Sequence, residues 1–102
     1  MSKKPESIFA EQVDKDLKKT FGDKVFFENI QQVVKAGTPD RLCCIKGHFV
    51  ALELKTEEGR LSKIQKLKLA KITNAGGLAY VVKPSTWEHC LKELKRLKKI
   101  RS

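Results

Sequence analysis

Apolar residues recur at every fourth position near the start of the chain, at Phe9, Val13 and Leu17, with charged residues between them. That spacing predicts an amphipathic helix over residues 5–20, with Pro5 in a first turn that needs no backbone N–H and Gly22 as the stop. The run KVFFENI predicts a strand over residues 24–30, and a polar loop then passes through Gln31, Gln32 and Gly37. Arg41 to Ile45 and His48 to Leu54 flank Lys46-Gly47. They predict a β-hairpin, although Lys-Gly is a weaker turn signal than Asn-Gly. A helix is predicted over residues 62–75, because Ser62 and Gln65 have the spacing of a capping box and Gly76-Gly77 ends the pattern. LAYVV, residues 78–82, reads as a short, fully buried strand. Ser85 and Glu88 repeat the capping-box spacing and open a last helix, with Trp87, Leu91 and Leu94 as its buried stripe.

The order is helix, strand, strand, strand, helix, strand, helix. A helical crossover makes the third and fourth strands parallel neighbours with a right-handed connection, whereas the second and third, joined by a tight turn, are antiparallel. The expected architecture is α/β, a mixed sheet flanked by helices. A chain of 102 residues, 40% of them hydrophobic, suffices for one domain with a single core and no disulfides. No repeat or linker divides it.

Charge narrows the partners. Lys and Arg outnumber Asp and Glu by 22 to 12, a formal net charge of +10. Such a field attracts polyanions, nucleic acid first; its plainer use is a solvated surface that keeps a small protein soluble. The three cysteines form no C-x-x-C or Cys/His cluster, which argues against zinc and for a reducing interior. His48 and His89 stand apart from any ligand spacing and read as surface or turn residues. MSKKPESIF lacks an apolar export core, and no window is long enough to span a bilayer. The expectation is a soluble cytoplasmic protein with no membrane partner.

The predicted hairpin carries unexpected charge. Side chains alternate along a strand, so Glu53 and Lys55 share one face while Val50, Leu52 and Leu54 share the other. If Lys46 and Gly47 form a two-residue turn, Ile45 pairs with His48 and Asp40 falls opposite Glu53. Opposed side chains have Cβ atoms only ~5 Å apart, where like charges need neutralising. A hard divalent cation such as Mg²⁺ does this with one or two carboxylates plus water and phosphate oxygens. Lys55 beside it could orient or deprotonate a water and stabilise charge on phosphate. One loop residue more or fewer turns Asp40 away. In the competing reading Asp40 is a turn residue after Pro39, and Glu53 and Lys55 are an exposed strand end.

GTPD followed by ALELK, then GRLSKIQ and AGGLAYVV, resembles the VRR-NUC branch of the PD-(D/E)xK nuclease superfamily, in its small stand-alone form from phages and prophages. The resemblance runs over residues 6–94. It implies a restriction-endonuclease-like αβββαβ core, here followed by a C-terminal helix, and a DNA phosphodiesterase dependent on Mg²⁺ or Mn²⁺. It makes Asp40 and Glu53 metal ligands, with the main-chain carbonyl of Leu54 helping, and Lys55 the catalytic lysine. It also brings a first-helix Glu towards the metal. Glu6 is preferred to Glu11, because Phe9, Ala10 and Val13 follow it on the sheet-facing side, whereas Asp14, Lys15 and Lys18 follow Glu11. Gln65 is the remaining family residue; set among Leu61, Leu69 and Ile72, it could reach Lys55 or the attacking water, or serve only the Ser62 capping box.

Small stand-alone relatives imply branched DNA, a Holliday-like junction or flap, as substrate in a bacterial host cell. Cutting both arms of a two-fold junction requires a homodimer. Lys35, Arg41, Arg60, Lys63 and Lys66, with Lys68 and Lys71, are candidate phosphate contacts that set affinity without reading sequence. The C-terminal run Lys92, Lys95, Arg96, Lys98, Lys99 and Arg101 reads as structural, since cations favour a helix C-terminus. No aromatics interleave the basic residues, so no base-stacking platform is expected. Two further readings stay open: a DNA-binding module without turnover, and a basic structural protein that binds no nucleic acid.

Overall fold

The protein is described by a computed structural model covering residues 4–29 and 37–100. Its elements are α1 (Pro5–Phe21), a 3₁₀ turn (Gly22–Lys24), β1 (Val25–Asn29), β2 (Arg41–Ile45), β3 (His48–Leu54), α2 (Lys63–Asn74), β4 (Leu78–Val82) and α3 (Pro84–Lys95). The four strands form one sheet in the order β1-β2-β3-β4. β1 and β2, and β2 and β3, pair antiparallel, whereas β3 and β4 pair parallel around the α2 crossover. This is the expected mixed sheet.

One sheet face carries the core. Phe9, Val13, Leu17 and Phe21 of α1 are buried at four-residue spacing, and they meet Cys43, Ile45, Val50 and Leu52 from the sheet and Trp87, Cys90 and Leu94 from α3. Two polar side-chain pairs fix α1. Arg41 of β2 grips the Asp14 carboxylate through Nε at 2.8 Å and Nη2 at 3.1 Å, and Trp87 Nε1 donates to Asp16 at 2.9 Å. Helix α2 packs against β4 on the opposite face, where Phe49, Ala51 and Glu53 point.

The hairpin register is the one that alternation and a two-residue turn dictate: Ile45 pairs with His48 and Arg41 with Leu52. Lys46 and Gly47 both take positive φ, 53° and 88°, the geometry that matches strand twist. A non-glycine residue there is strained, and Lys46 is held in place by its neighbours. Its ammonium donates to the carbonyls of Lys95 and Leu97 at 2.9 and 3.0 Å, and its own carbonyl accepts the Ile100 N–H at 2.9 Å. His48 Nε2 donates to the Lys98 carbonyl at 2.6 Å. The chain after α3 is thereby latched onto the hairpin tip.

Several expectations are revised. β4 is an edge strand, so only Val82 is buried while Val81 is 39% exposed and Leu78, Ala79 and Tyr80 are half-buried. An apolar run does not say whether a strand has neighbours on both sides. The last helix opens before the expected Ser85-Glu88 box: Pro84 takes its first position, Lys83 is extended as a residue before proline must be, and the Lys83 N–H donates to Thr86 Oγ1 at 3.0 Å. Lys24 belongs to the 3₁₀ turn, and β1 begins at Val25. Ile30, Gln31, Gln32 and Lys35 lie outside the described residues.

Candidate active site

Asp40 immediately precedes β2, and Glu53 lies near the end of β3. Extending the observed pairing by one residue beyond Arg41 and Leu52 sets them opposite each other. The structure ties them further. Asp40 Oδ2 accepts the Leu54 N–H at 2.8 Å, holding the aspartate against the β3 end. Glu53 is only 3% exposed. Burial, followed by the negative charge of Asp40, pushes its carboxyl up from 4.5 to about 7, with Lys55 pulling the other way. A buried acid raised by a second acid marks a place where positive charge is wanted.

Two groups already supply part of it. Lys55 Nζ stands 3.4 Å from Glu53 Oε2, and Gln65 Nε2 donates to the same oxygen at 3.1 Å. Gln65 also completes the α2 cap: its Oε1 accepts the Ser62 N–H at 2.9 Å while Ser62 Oγ accepts the Gln65 N–H at 3.2 Å. The sequence left open whether Gln65 serves the cap or the site. One amide serves both, oxygen for the cap and nitrogen for the glutamate.

The strand end is braced from β4. Lys55 N–H donates to the Val82 carbonyl at 2.9 Å, and the Gly59 N–H closes a turn onto Thr56 at 3.0 Å. A Cβ at Gly59 would press on the Lys55 stem at 3.3 Å. Glu57 then crosses to α3, accepting the Ser85 N–H and hydroxyl at 2.7 Å each. Those bonds hold its carboxyl below the usual range. Lys83 Nζ donates to the Glu57 carbonyl at 3.0 Å, so the Lys55 loop is fastened at both strands.

Other expected residues fall elsewhere. Glu6 is exposed in the first turn of α1, and among the described residues no group of three or more His, Cys, Asp and Glu side chains could hold a metal ion. Glu11 is exposed on the same helix. Arg41, expected on DNA, is 7% exposed. It spends its guanidinium on Asp14 and, through Nη1 at 3.0 Å, on the Asp40 carbonyl, so it positions the aspartate rather than meeting phosphate. Arg60, Lys63 and Lys66 are exposed. Arg60 and Lys66 line a groove of about 690 Å³ with Lys83. Sequence reasoning missed Lys83; the parallel β3-β4 pair, whose ends must lie together, was the signal for it.

The mixed four-stranded sheet flanked by helices, with two carboxylates at the end of its β2-β3 hairpin and a lysine just beyond β3, has a restriction-endonuclease-like α/β fold. A solved structure described as a VRR_NUC domain shares it, with TM-score 0.63 and 21% identity over 81% of this chain and 92% of that one. No family model and no curated protein matches the sequence. Among the described residues no helix is long and apolar enough to cross a membrane.

Proposed function

We propose that this chain is a metal-dependent endonuclease that hydrolyses DNA phosphodiester bonds. The observation that carries the reading is the Asp40–Glu53 pair, with Glu53 pushed to about 7 by burial and by its neighbour's charge. Carboxylate oxygens fit a hard cation, and two of them leave positions for water and phosphate, the pattern of Mg²⁺ or Mn²⁺. Asp40 and Glu53, with the Leu54 carbonyl, would hold the ion. When bound, such a cation supplies Lewis-acid stabilisation of charge on phosphate and a lowered pKa for water.

The protein's own groups supply the rest. Lys55, anchored by Glu53 and braced by Gly59, places an ammonium where charge builds on a phosphate and can take or return a proton there. Gln65 fixes the Glu53 carboxylate so that its orientation does not depend on the ligand. Arg60, Lys63 and Lys66 hold the strand by its phosphates without reading bases.

Branched DNA, a junction or flap, is the proposed substrate, and a two-fold dimer would offer two such sites to it. The setting we propose is phage-type action in a bacterial host cytoplasm. Purified protein is expected to cut branched DNA faster than linear duplex with Mg²⁺ or Mn²⁺. Asp40→Asn, Glu53→Gln and Lys55→Met should abolish cutting and retain salt-dependent binding. A second reading is a binding module without turnover, which keeps the fold and the exposed cations Arg60, Lys63 and Lys66. It predicts binding and no cutting under any metal condition.

A further inference from the structure

The sheet face that bears Glu53 continues away from it as an apolar surface. Phe49 lies two alternations before Glu53, and Cys44 pairs directly with it across β2. Phe49 is 49% exposed. It lines a groove of about 580 Å³ with Pro39, Leu42 and Ile72, and the groove's cationic members are Lys68 and Lys71 of α2. That volume lies within the ~300–1,000 Å³ range of small-ligand sites. Pro39, one of its lining residues, immediately precedes Asp40 in the chain. Four residues of strand separate Phe49 from Glu53, ~13 Å at strand rise, the reach of a few nucleotides of extended strand.

We propose that this groove receives an unpaired nucleobase of the DNA, stacked on Phe49, with the adjoining phosphates on Lys68 and Lys71. An aromatic ring beside paired cations is the combination that holds single-stranded nucleic acid without regard to sequence, since every base has a π-face. A second copy of the chain is the poorer occupant. A self-complementary contact would set one copy's lysines near the other's in a chain of net charge +10. Bases within a duplex stay stacked on each other and do not reach such a groove, whereas the unpaired bases of a flap or splayed arm do. The groove thus gives a cleavage site that does not read sequence a physical reason to prefer branched DNA.

The inference takes its choice of polymer from the proposed nuclease function, and its test is run on binding alone, without divalent cation. The probe is a flap or splayed-arm DNA carrying 2-aminopurine in the unpaired strand, whose fluorescence falls on stacking. Wild type and Phe49→Tyr should quench it; Phe49→Leu, which keeps apolar bulk but has no aromatic face, should not. The Leu variant should bind the unpaired arm about tenfold more weakly, with duplex affinity and melting temperature unchanged. Equal quenching by the Leu variant, or no preference of wild type for the unpaired arm, overturns the proposal. So does a Phe49-dependent dimer that leaves the probe bright, since a second copy would then fill the groove. Quenching without cleavage at any metal would sink the nuclease reading and keep this one; cleavage without quenching would do the reverse.

Discussion

Gln65 donates its side-chain N–H to Glu53 across 3.1 Å while its amide oxygen caps the helix that carries it. The two tasks separate by substitution. Gln65→Glu keeps an acceptor for the Ser62 N–H but adds a further carboxylate to the Asp40–Glu53 pair. We expect helix stability within about 1 kcal/mol of wild type and cleavage lowered at least tenfold. Ser62→Ala should cost about 1 kcal/mol and leave the rate per folded molecule unchanged. Urea unfolding and single-turnover cleavage read the two effects; equal loss of rate in both variants would reduce Gln65 to a cap.

The raised Glu53 carboxyl makes stability depend on pH in a stated direction. The unfolded chain releases this proton near 4.5 and the folded protein near 7. Below the lower value both states hold it and nothing is lost. Between the two the unfolded chain ionises first, so stability falls as pH rises, and above the upper value the penalty, up to about 3 kcal/mol, is complete. Glu53→Gln should therefore stabilise the metal-free protein at pH 8 and have little effect at pH 4. Denaturant unfolding across that range, with chelator present, checks it.

Divalent cation should reverse that penalty. A ligand that binds only the folded state adds about 2.7 kcal/mol at a hundredfold excess over its Kd. We expect Mg²⁺ or Mn²⁺ to raise the melting temperature in a saturable way, and Asp40→Asn to remove most of the rise. A rise that persists in that variant would place the cation elsewhere.

The Arg41–Asp14 pair joins the sheet to α1 and also holds the Asp40 carbonyl. Breaking one partner strands a charge where water is scarce. Asp14→Asn is expected to cost about 3 kcal/mol, whereas Arg41→Met with Asp14→Leu should recover much of that stability. The doubly substituted protein should still cleave more slowly than wild type, because the Asp40 carbonyl has lost its donor.

Neutralising Arg60, Lys63 and Lys66 together should lower the slope of log affinity against log salt by about two to three if each meets one phosphate. Measured by anisotropy at several salt concentrations, an unchanged slope would remove this helix start from the DNA path.

The hairpin and its charged ends were legible because their logic is local. A two-residue turn sets the pairing, alternation sets the face, and the predicted pair Ile45 and His48 is the observed one. The Ser62 cap was legible for the same reason. Arg41 was misassigned because its partner lies 27 residues earlier on a helix, and no sequence period reports which helix face crosses which strand. Glu57 was missed likewise: its partner Ser85 is 28 residues away and reads, in sequence, as a cap of its own helix. β4 looked fully buried because apolar content records hydrophobicity and not position in the sheet. Phe49 is half-exposed although it stands next to fully buried Val50, a difference of sheet face that apolar content alone does not record.

The latch at the hairpin tip puts distance between two sets of charge. Lys46 and His48 tie the tail at the turn, while Asp40 and Glu53 lie at the far end of the same two strands, five residues or ~17 Å away. That exceeds the ~8 Å over which exposed charges feel each other in physiological salt, and the charges that shift the buried Glu53 are those of Asp40 and Lys55. The lysines of the tail are electrostatically deaf to the acid pair: they can alter how strongly a polyanion is drawn to the molecule, but not the proton affinity of the carboxyls at the other end.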